Sequence, residues 1–121
     1  MSPRSKPASG AGRLKTAVLQ SSARIFAALG DETRLRLIAV LCAGSAMSIA
    51  QLTAGTAMTR QSVTQHLQVL ANAGLVRDVK VGRERLWAFT PAHLEEARRA
   101  LEAISQQWDR ALLRLKAAVE E

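Results

Sequence analysis

The spacing of apolar residues changes twice along this 121-residue chain, and those two changes limit the folds that it can adopt. Up to Gly74 the apolar residues recur every three or four positions, which is the period of a helix packed on one side. From Leu75 to Thr90 they alternate with polar residues, as in a two-stranded hairpin around the turn "GR". The helical period returns at Pro91. The chain is therefore expected to be mainly α-helical, with one small β-hairpin before a long last helix.

Two helices are expected first, because their starts and stops are marked in the sequence. The first begins near Thr16 and stops at Gly30. The second begins after Asp31, which is a good N-cap residue, and stops at Gly44. The inward stripe of the second helix is expected to consist of Leu35, Ile38 and Leu41.

Two shorter helices follow, and only the turn "GTAM" separates them. Ser48 and Gln51 form a capping-box pattern at the start of the third helix, "SIAQLTA". Thr59 caps the fourth helix, which is expected to run to Ala73 and to stop at Gly74. The inward positions of the fourth helix are Val63, Leu67 and Leu70.

The last helix is expected to begin with Thr90 as N-cap and Pro91 in its first turn, and to run for roughly 45 Å at 1.5 Å per residue. Its apolar residues keep a seven-residue repeat, with Trp108 in mid-repeat. A helix this long overhangs so small a domain, and an exposed tryptophan is costly. We therefore predict that a second copy of the chain covers the repeat, with packing on the chain's own core as the alternative. The predicted interface residues are Val18 and Ile25 in the first helix and Leu101, Ile104, Trp108, Leu112 and Leu115 in the last.

The formal charge of +7 and the isoelectric point near 11.1 favour a polyanionic partner, and nucleic acid is the leading one. Residues 16–90 carry eight bases and four acids, whereas residues 91–121 carry five bases and six acids. Residues 1–15 are predicted to form a flexible basic arm, and residues 16–121 a domain for DNA binding and dimerisation. The bases of the arm are Arg4, Lys6, Arg13 and Lys15.

Several other classes of protein are disfavoured. Cys42 is the single cysteine, so no disulfide forms within one chain, and a reducing compartment fits. The N-terminus lacks the apolar core of a signal peptide, and no apolar run approaches the roughly 20 residues of a membrane span. The two histidines do not suggest a Ser-His-Asp or Cys-His arrangement, and the sequence has no phosphate-binding glycine loop. Both observations argue against an enzyme. We expect a soluble, cytoplasmic, non-enzymatic protein without a cofactor.

The third and fourth helices have the arrangement of a helix-turn-helix, in which the second helix enters the major groove of DNA. The outer face of the fourth helix carries neutral hydrogen-bonding groups that can read base edges, together with Arg60. The alternative is an ordinary solvated face, but such faces usually hold Glu and Lys, and neither occurs between Thr59 and Ala73. The predicted DNA contacts from this helix include Thr59, Arg60, Gln61, Thr64 and Gln65.

The hairpin gives a second indication of DNA binding. With Gly82 and Arg83 at the tip, Lys80 and Arg85 lie opposite each other. Like charges in that position destabilise a strand pair, so the pair is expected to bind an anion such as a phosphate. The alternative is a solvated tip in which Glu84 relieves part of the repulsion.

Three segments in order, "ALGDETRLRLIAVL", "IAQLTAGTAMTRQSVTQHLQVLANAGLV" and "VGRERLWAF", closely resemble the ArsR/SmtB family of bacterial winged-helix transcriptional regulators, over about residues 20–90. The resemblance implies a winged helix-turn-helix of order α-α-α-α-β-β-α that dimerises through its first and last helices. It also implies an inverted-repeat operator and, usually, repression of nearby genes. The positions that match the family's DNA-reading residues are Gln61, Ser62, Thr64, Gln65 and His66, with Arg83 and Arg85 in the wing. For His66 a structural role remains an equal alternative.

The metal sites of the family are missing. Ser48, Ile49 and Ala50 stand where arsenic and cadmium sensors carry Cys-x-Cys, and they cannot bind a soft metal. Where zinc and nickel sensors carry ligands along the last helix, this chain offers His93 and scattered acids. Cys42 is expected to be a buried small apolar residue, with a pair of Cys42 residues between subunits as the alternative. The chain is therefore predicted to regulate transcription without a metal, and a winged-helix module for protein contacts or non-specific nucleic-acid binding is the alternative function.

Overall fold

The computed structural model describes residues 15–120, and in that part of the chain the predicted order of elements is confirmed. The predicted basic arm falls outside the described residues except for Lys15. None of the helices in residues 15–120 is long and apolar enough to cross a membrane. The elements are α1 (Thr16–Leu29), α2 (Glu32–Ala43), α3 (Ile49–Ala54), α4 (Arg60–Asn72), β1 (Val76–Val81), β2 (Glu84–Phe89) and α5 (Pro91–Glu120).

Local capping explains where three of the helices begin. The carboxylate of Asp31 accepts the backbone N–H of Arg34 at 3.0 Å at the start of α2. At α3 the capping box is complete, because Ser48 and Gln51 each accept the other's backbone N–H. Thr59 caps α4 through its hydroxyl. Each of these caps spans only three residues, which is why the sequence predicts them.

The start of α5 differs from the prediction. The hydroxyl of Thr90 does not cap the helix, since it is buried and has no hydrogen-bond partner within residues 15–120. The backbone N–H of Thr90 donates instead to the carbonyl of Leu75 at 2.9 Å. The helix begins at Pro91, whose fixed φ suits a first helical position.

The core forms where α4 packs against the other elements. Val63, Leu67 and Leu70 have no exposed surface, as their spacing predicts. In α2 the prediction for Leu35 is wrong, because 51% of its surface is exposed and Leu37 is buried in its place. The buried residues Leu37, Ile38 and Leu41 define an arc at 100° per residue, and Leu35 lies about 110° from the centre of that arc.

Two further predictions, one on α1 and one on α2, are wrong about which side of the helix is buried. Ile25, predicted as an interface residue, is only 2% exposed, because it shares the inner face of α1 with Ser22 and Ala28 and belongs to the chain's own core. Cys42, expected to be buried, is exposed, because it lies about 90° from the centre of the buried arc of α2.

The hairpin has the predicted register, with Val76 opposite Phe89 and Lys80 opposite Arg85. Gly82 turns the chain with φ +63°. The hairpin is tied to the helices by a pair of backbone hydrogen bonds between Met47 and Trp87, of 2.9 and 2.7 Å. That bridge fixes the position of the hairpin beside the start of α3.

The connection from α4 to the hairpin depends on a glycine. Gly74 has φ +81°, and a Cβ there would lie 2.5 Å from the Cδ2 atom of His93. His93, the one histidine that α5 offers where zinc and nickel sensors carry their ligands, is therefore packed against the backbone at the end of α4.

Candidate nucleic-acid interface

The turn between α3 and α4 is held by one side chain. The hydroxyl of Thr56 donates to the carbonyl of Thr53 at 2.9 Å and accepts the backbone N–H of Met58 at 3.1 Å. With Leu52 and Val63 buried on the inner sides of the two helices, this turn sets α4 at a fixed angle to α3. The arrangement is a helix-turn-helix whose second helix turns its polar face outward.

The outer face of α4 offers unused hydrogen-bonding groups. Arg60, Gln61 and Gln65 are exposed, and their side chains make no hydrogen bond or ion pair with any residue from 15 to 120. Gln61 and Gln65 are one helical turn apart and so project from the same side. Each amide group has donors and an acceptor free for a partner that displays both.

The hydroxyl groups of Thr59, at the start of α4, and of Thr64 are already engaged. Thr59 accepts the backbone N–H of Ser62 at 3.0 Å. Thr64 donates to the carbonyl of Arg60 at 2.8 Å, which uses its one proton within the helix. Towards a partner, Thr64 therefore presents its methyl group and its oxygen lone pairs rather than a donor.

His66 has structural contacts. Its Nδ1 atom lies 3.2 Å from the guanidinium of Arg34 and 3.8 Å from the carboxylate of Asp31. The backbone N–H of Arg34 holds the pKa of Asp31 below its usual value, and the charge of Arg34 lowers it further. The sequence leaves open whether His66 contacts DNA or has a structural role. The structure shows a structural role, in which His66 links α4 to α2.

The hairpin formed by β1 and β2, which is the wing of the fold, is basic, but it also carries the acidic residue Asp78. Lys80, Arg83 and Arg85 are exposed, and Lys80 and Arg85 face each other across the strands. The carboxylate of Asp78 lies 3.3 Å from Nε of Arg85, diagonally across the strand pair. An internal carboxylate, rather than an external anion or Glu84, thus offsets the repulsion between the opposed bases. The register alone does not predict this diagonal pair, because it indicates only directly opposed residues.

The residues at the family's metal positions have other contacts here. Ser48 belongs to the capping box, and His93 packs against Gly74. Within residues 15–120 no group of three or more His, Cys, Asp or Glu side chains is placed to hold a metal ion. Cys42 lines a groove of about 510 Å³ between α1, α2 and α5, together with Phe26, Leu29, Phe89 and Leu94.

The sequence matches known regulators of transcription. Residues 29–79 match the family model described as a helix-turn-helix domain. The HTH-type transcriptional regulator Rv2034 of Mycobacterium tuberculosis is 33% identical over 93 residues, which are 77% of this chain and 83% of that protein. The HTH-type transcriptional regulator CmtR of the same species is 37% identical over 75 residues, which are 62% of this chain and 63% of that protein.

Solved structures match the fold and the sequence together. An ArsR-like transcriptional regulator from Rhodococcus sp. RHA1 is 36% identical with a TM-score of 0.73, covering 85% of this chain and 96% of that one. The homodimeric winged helix-turn-helix DNA-binding domain of Mb0332 from Mycobacterium bovis is 25% identical with a TM-score of 0.60, covering 88% and 94%. The cadmium metal-sensor CmtR has a TM-score of 0.51, covering 63% and 75%. The helix-turn-helix, its wing and these relatives show that this chain belongs to the ArsR family of winged helix-turn-helix transcriptional regulators, which bind DNA.

Proposed function

We propose that this chain is a homodimeric repressor that recognises an inverted-repeat operator in double-stranded DNA and needs no metal to do so. The observation that carries the proposal is the outer face of α4, where Arg60, Gln61 and Gln65 are exposed and unpaired among residues 15–120, beside a basic wing. Hydrogen-bonding groups that carry no negative charge suit a partner that combines base edges with phosphates.

Direct reading of bases is assigned to α4. Gln61 and Gln65 can each form two hydrogen bonds with adenine, and Arg60 can bind guanine or a phosphate. The methyl group of Thr64 can contact the methyl group of thymine, since its proton is used inside the helix. Thr59 and Ser62, at the start of α4, lie where helix N-termini approach phosphates. His66 is assigned an indirect role, because its ring is held by α2.

Binding of the DNA backbone is assigned to the wing. Lys80 and Arg83 make no ion pair within residues 15–120, so both are available to phosphates or to a narrow minor groove. Arg85 must exchange the carboxylate of Asp78 for a phosphate. Such contacts release counterions and add affinity without sequence preference.

The homodimer is supported by the part of α5 from Leu101 onward. The predicted interface residues there are apolar, yet each of them is 45–65% exposed in the single chain. An apolar stripe of that length marks a protein interface. Val18 is half-buried on α1, which packs against α5, and a structural relative is described as homodimeric. Two-fold symmetry of the protein then requires an inverted repeat in the DNA. The exposed stripe consists of Leu101, Ile104, Trp108, Leu112 and Leu115.

Independence from metal is supported by the donor groups themselves. One cysteine in the chain cannot form a thiolate cluster within a subunit, and His93 is packed on Gly74. The competing possibility comes from the relative described as a cadmium metal-sensor. Operator affinity measured after dialysis against a chelator, and again with zinc or cadmium added, should be the same.

A footprint of the purified protein on the DNA upstream of its own gene, at physiological salt, tests the whole proposal. We expect a protected inverted repeat with half-sites about one helical turn apart. Transcription from that promoter in vitro should fall as protein is added. Uniform protection would indicate a non-specific nucleic-acid binder, and no protection would favour a protein-interaction module.

A further inference from the structure

Arg34 contacts three helices. Its Nε donates to the carbonyl of Ala28 in the last turn of α1 at 2.6 Å. Its NH1 group lies 3.2 Å from Nδ1 of His66 on α4, and its backbone N–H donates to Asp31 at the start of α2. A guanidinium is planar and directs its donors rigidly, so two bonds from one guanidinium fix the angle between its partners.

The direction of the bond to His66 follows from chemistry. A guanidinium has no acceptor, so Arg34 is the donor and Nδ1 of His66 is the acceptor. The proton of the imidazole is then on Nε2. Asp31 is 3.8 Å from the same Nδ1 atom, which is too far for a hydrogen bond, and its charge complements Arg34. His66 is therefore held in one ring orientation by α2.

The other contacts of α4 do not fix its rotation as strictly. Val63, Leu67 and Leu70 pack through apolar contact, which is non-directional. A hydrogen bond weakens steeply as its angle departs from linear. Rotation of α4 about its axis would break the bond to Arg34 before it exposed the apolar face, and it would move Gln61 and Gln65 relative to the DNA.

We infer that Arg34 is a positioning residue that sets the orientation of the recognition helix α4 relative to α1, and so the spacing of half-sites that the dimer accepts. The inference rests on the proposed function, because α1 packs against α5 and those two helices form the proposed dimer interface. It assigns a role in DNA specificity to a residue that contacts no base. No base-reading residue on α4 performs this task, since each of them moves with the helix.

The test compares Arg34→Lys with Arg36→Lys in the full-length protein. A lysine keeps the charge but cannot hold the carbonyl of Ala28 and the imidazole of His66 together. Arg36 is a matched control, because it is two residues away, exposed and, among residues 15–120, paired only with Glu32. Affinities are measured by fluorescence anisotropy for the footprinted repeat and for repeats with one base pair added or removed between half-sites.

We expect Arg34→Lys to lower affinity for the natural spacing by about tenfold to a hundredfold, the effect of losing a hydrogen bond to a charged group. The preference over the altered spacings should shrink, whereas the salt slope should not change, because the number of phosphates bound stays the same. Arg36→Lys should leave the affinity, the preference between spacings and the salt slope unchanged. If Arg34→Lys weakens every spacing and random DNA equally, the inference is wrong.

Variants of His66 separate positioning from direct contact. His66→Asn places an amide oxygen near the position of Nδ1 and should keep the spacing preference, whereas His66→Ala should lose it. Adding His66→Ala to Arg34→Lys should lower the affinity little further, because both substitutions remove the same bond between Arg34 and His66. Additive losses, or an equal loss in the Asn and Ala variants, would overturn the inference. Circular dichroism and thermal melts show that each variant is folded, and a wild type without a protected repeat would refute the proposed function instead.

Discussion

The fourth and fifth helices leave different kinds of surface without a partner. On α4 the apolar face is completely buried and the exposed face holds unpaired amide groups. On α5 the first turns bury Ala97 and Ala100 against the chain, whereas the part from Leu101 onward leaves an apolar stripe in water. Amide groups need a partner that offers donors and acceptors, and an apolar stripe needs another apolar surface. The difference assigns DNA to α4 and a second subunit to α5.

The largest effect is expected from the buried face of α4. Leu67→Ala removes a fully buried side chain and should lower the free energy of unfolding by about 2–5 kcal/mol, because a cavity remains. Its exposed neighbour Gln68 is the control, and Gln68→Ala should change stability by less than about 0.5 kcal/mol. Urea unfolding followed by circular dichroism measures both. Equal effects would mean that α4 does not pack as described.

The next largest effect is expected at the exposed stripe of α5. Trp108→Ala should weaken dimerisation by at least about 2 kcal/mol, since a tryptophan at the centre of an interface is typically a hot spot. Leu113 is also exposed but lies off the seven-residue repeat, so Leu113→Ala is the matched control. Sedimentation equilibrium gives both dissociation constants. A wild type that is a monomer at micromolar concentration would contradict the assignment of α5.

A smaller effect, on specificity, is expected at the exposed face of α4. Gln65→Ala should reduce discrimination between the operator and its single-base variants by about 1–3 kcal/mol at one base pair per half-site. Binding to random DNA should be unchanged, because the variant keeps the charge of the wild type. Competition binding at constant salt measures the difference. An equal decrease in affinity for all DNA sequences would indicate that Gln65 contacts the DNA backbone rather than the bases.

A still smaller effect is expected in the wing. Lys80→Ala should weaken binding to all DNA alike and reduce the slope of log affinity against log salt by about 1.8, because each of the two subunits binds one phosphate fewer. Glu84→Ala in the same wing removes a negative charge and should strengthen binding slightly. A titration from low to physiological salt distinguishes the two. If Lys80→Ala changes base preference, the division between helix and wing is wrong.

The smallest effect concerns acid stability. The pKa of Asp31 is lowered chiefly by the backbone N–H of Arg34, and the pKa of Glu95 chiefly by the side chain of Arg98. A carboxyl group with a lowered folded-state pKa stabilises the fold above its unfolded-state pKa, and that stability is lost as the pH falls below about 4. Asp31→Asn and Glu95→Gln should each flatten the decline of the urea midpoint between pH 5 and about pH 3. An unchanged decline would contradict these contacts.

Features governed by neighbours in sequence could be predicted, and features governed by distant residues could not. The caps at Asp31, Ser48 and Thr59 and the hairpin register depend on residues within a few positions or on strict alternation. The predicted buried face of α2 was wrong by a fraction of a helical turn. Leu35 and Cys42, which were predicted to be buried, are therefore exposed. Apolar spacing fixes a stripe only when polar residues border it, and α2 is apolar on several sides.

Contacts between distant elements in the candidate site had no signal in the sequence. Arg34 and His66 are thirty-two residues apart, and the bridge from Met47 to Trp87 joins a loop to a strand. Both depend on how the elements pack together rather than on any local propensity. The outward residues of α4, by contrast, could be identified because the inward stripe fixes the opposite face.

The division between base reading by α4 and backbone binding by the wing is tested most directly by a ratio of two affinities. One is the affinity for the footprinted repeat, and the other is the affinity for a shuffled duplex of equal length at the same physiological salt concentration. Because the two duplexes carry the same charge, the ratio isolates base reading from backbone binding. We expect a ratio of about a thousand or more for the wild type. Comparable affinities for the two duplexes would contradict that division.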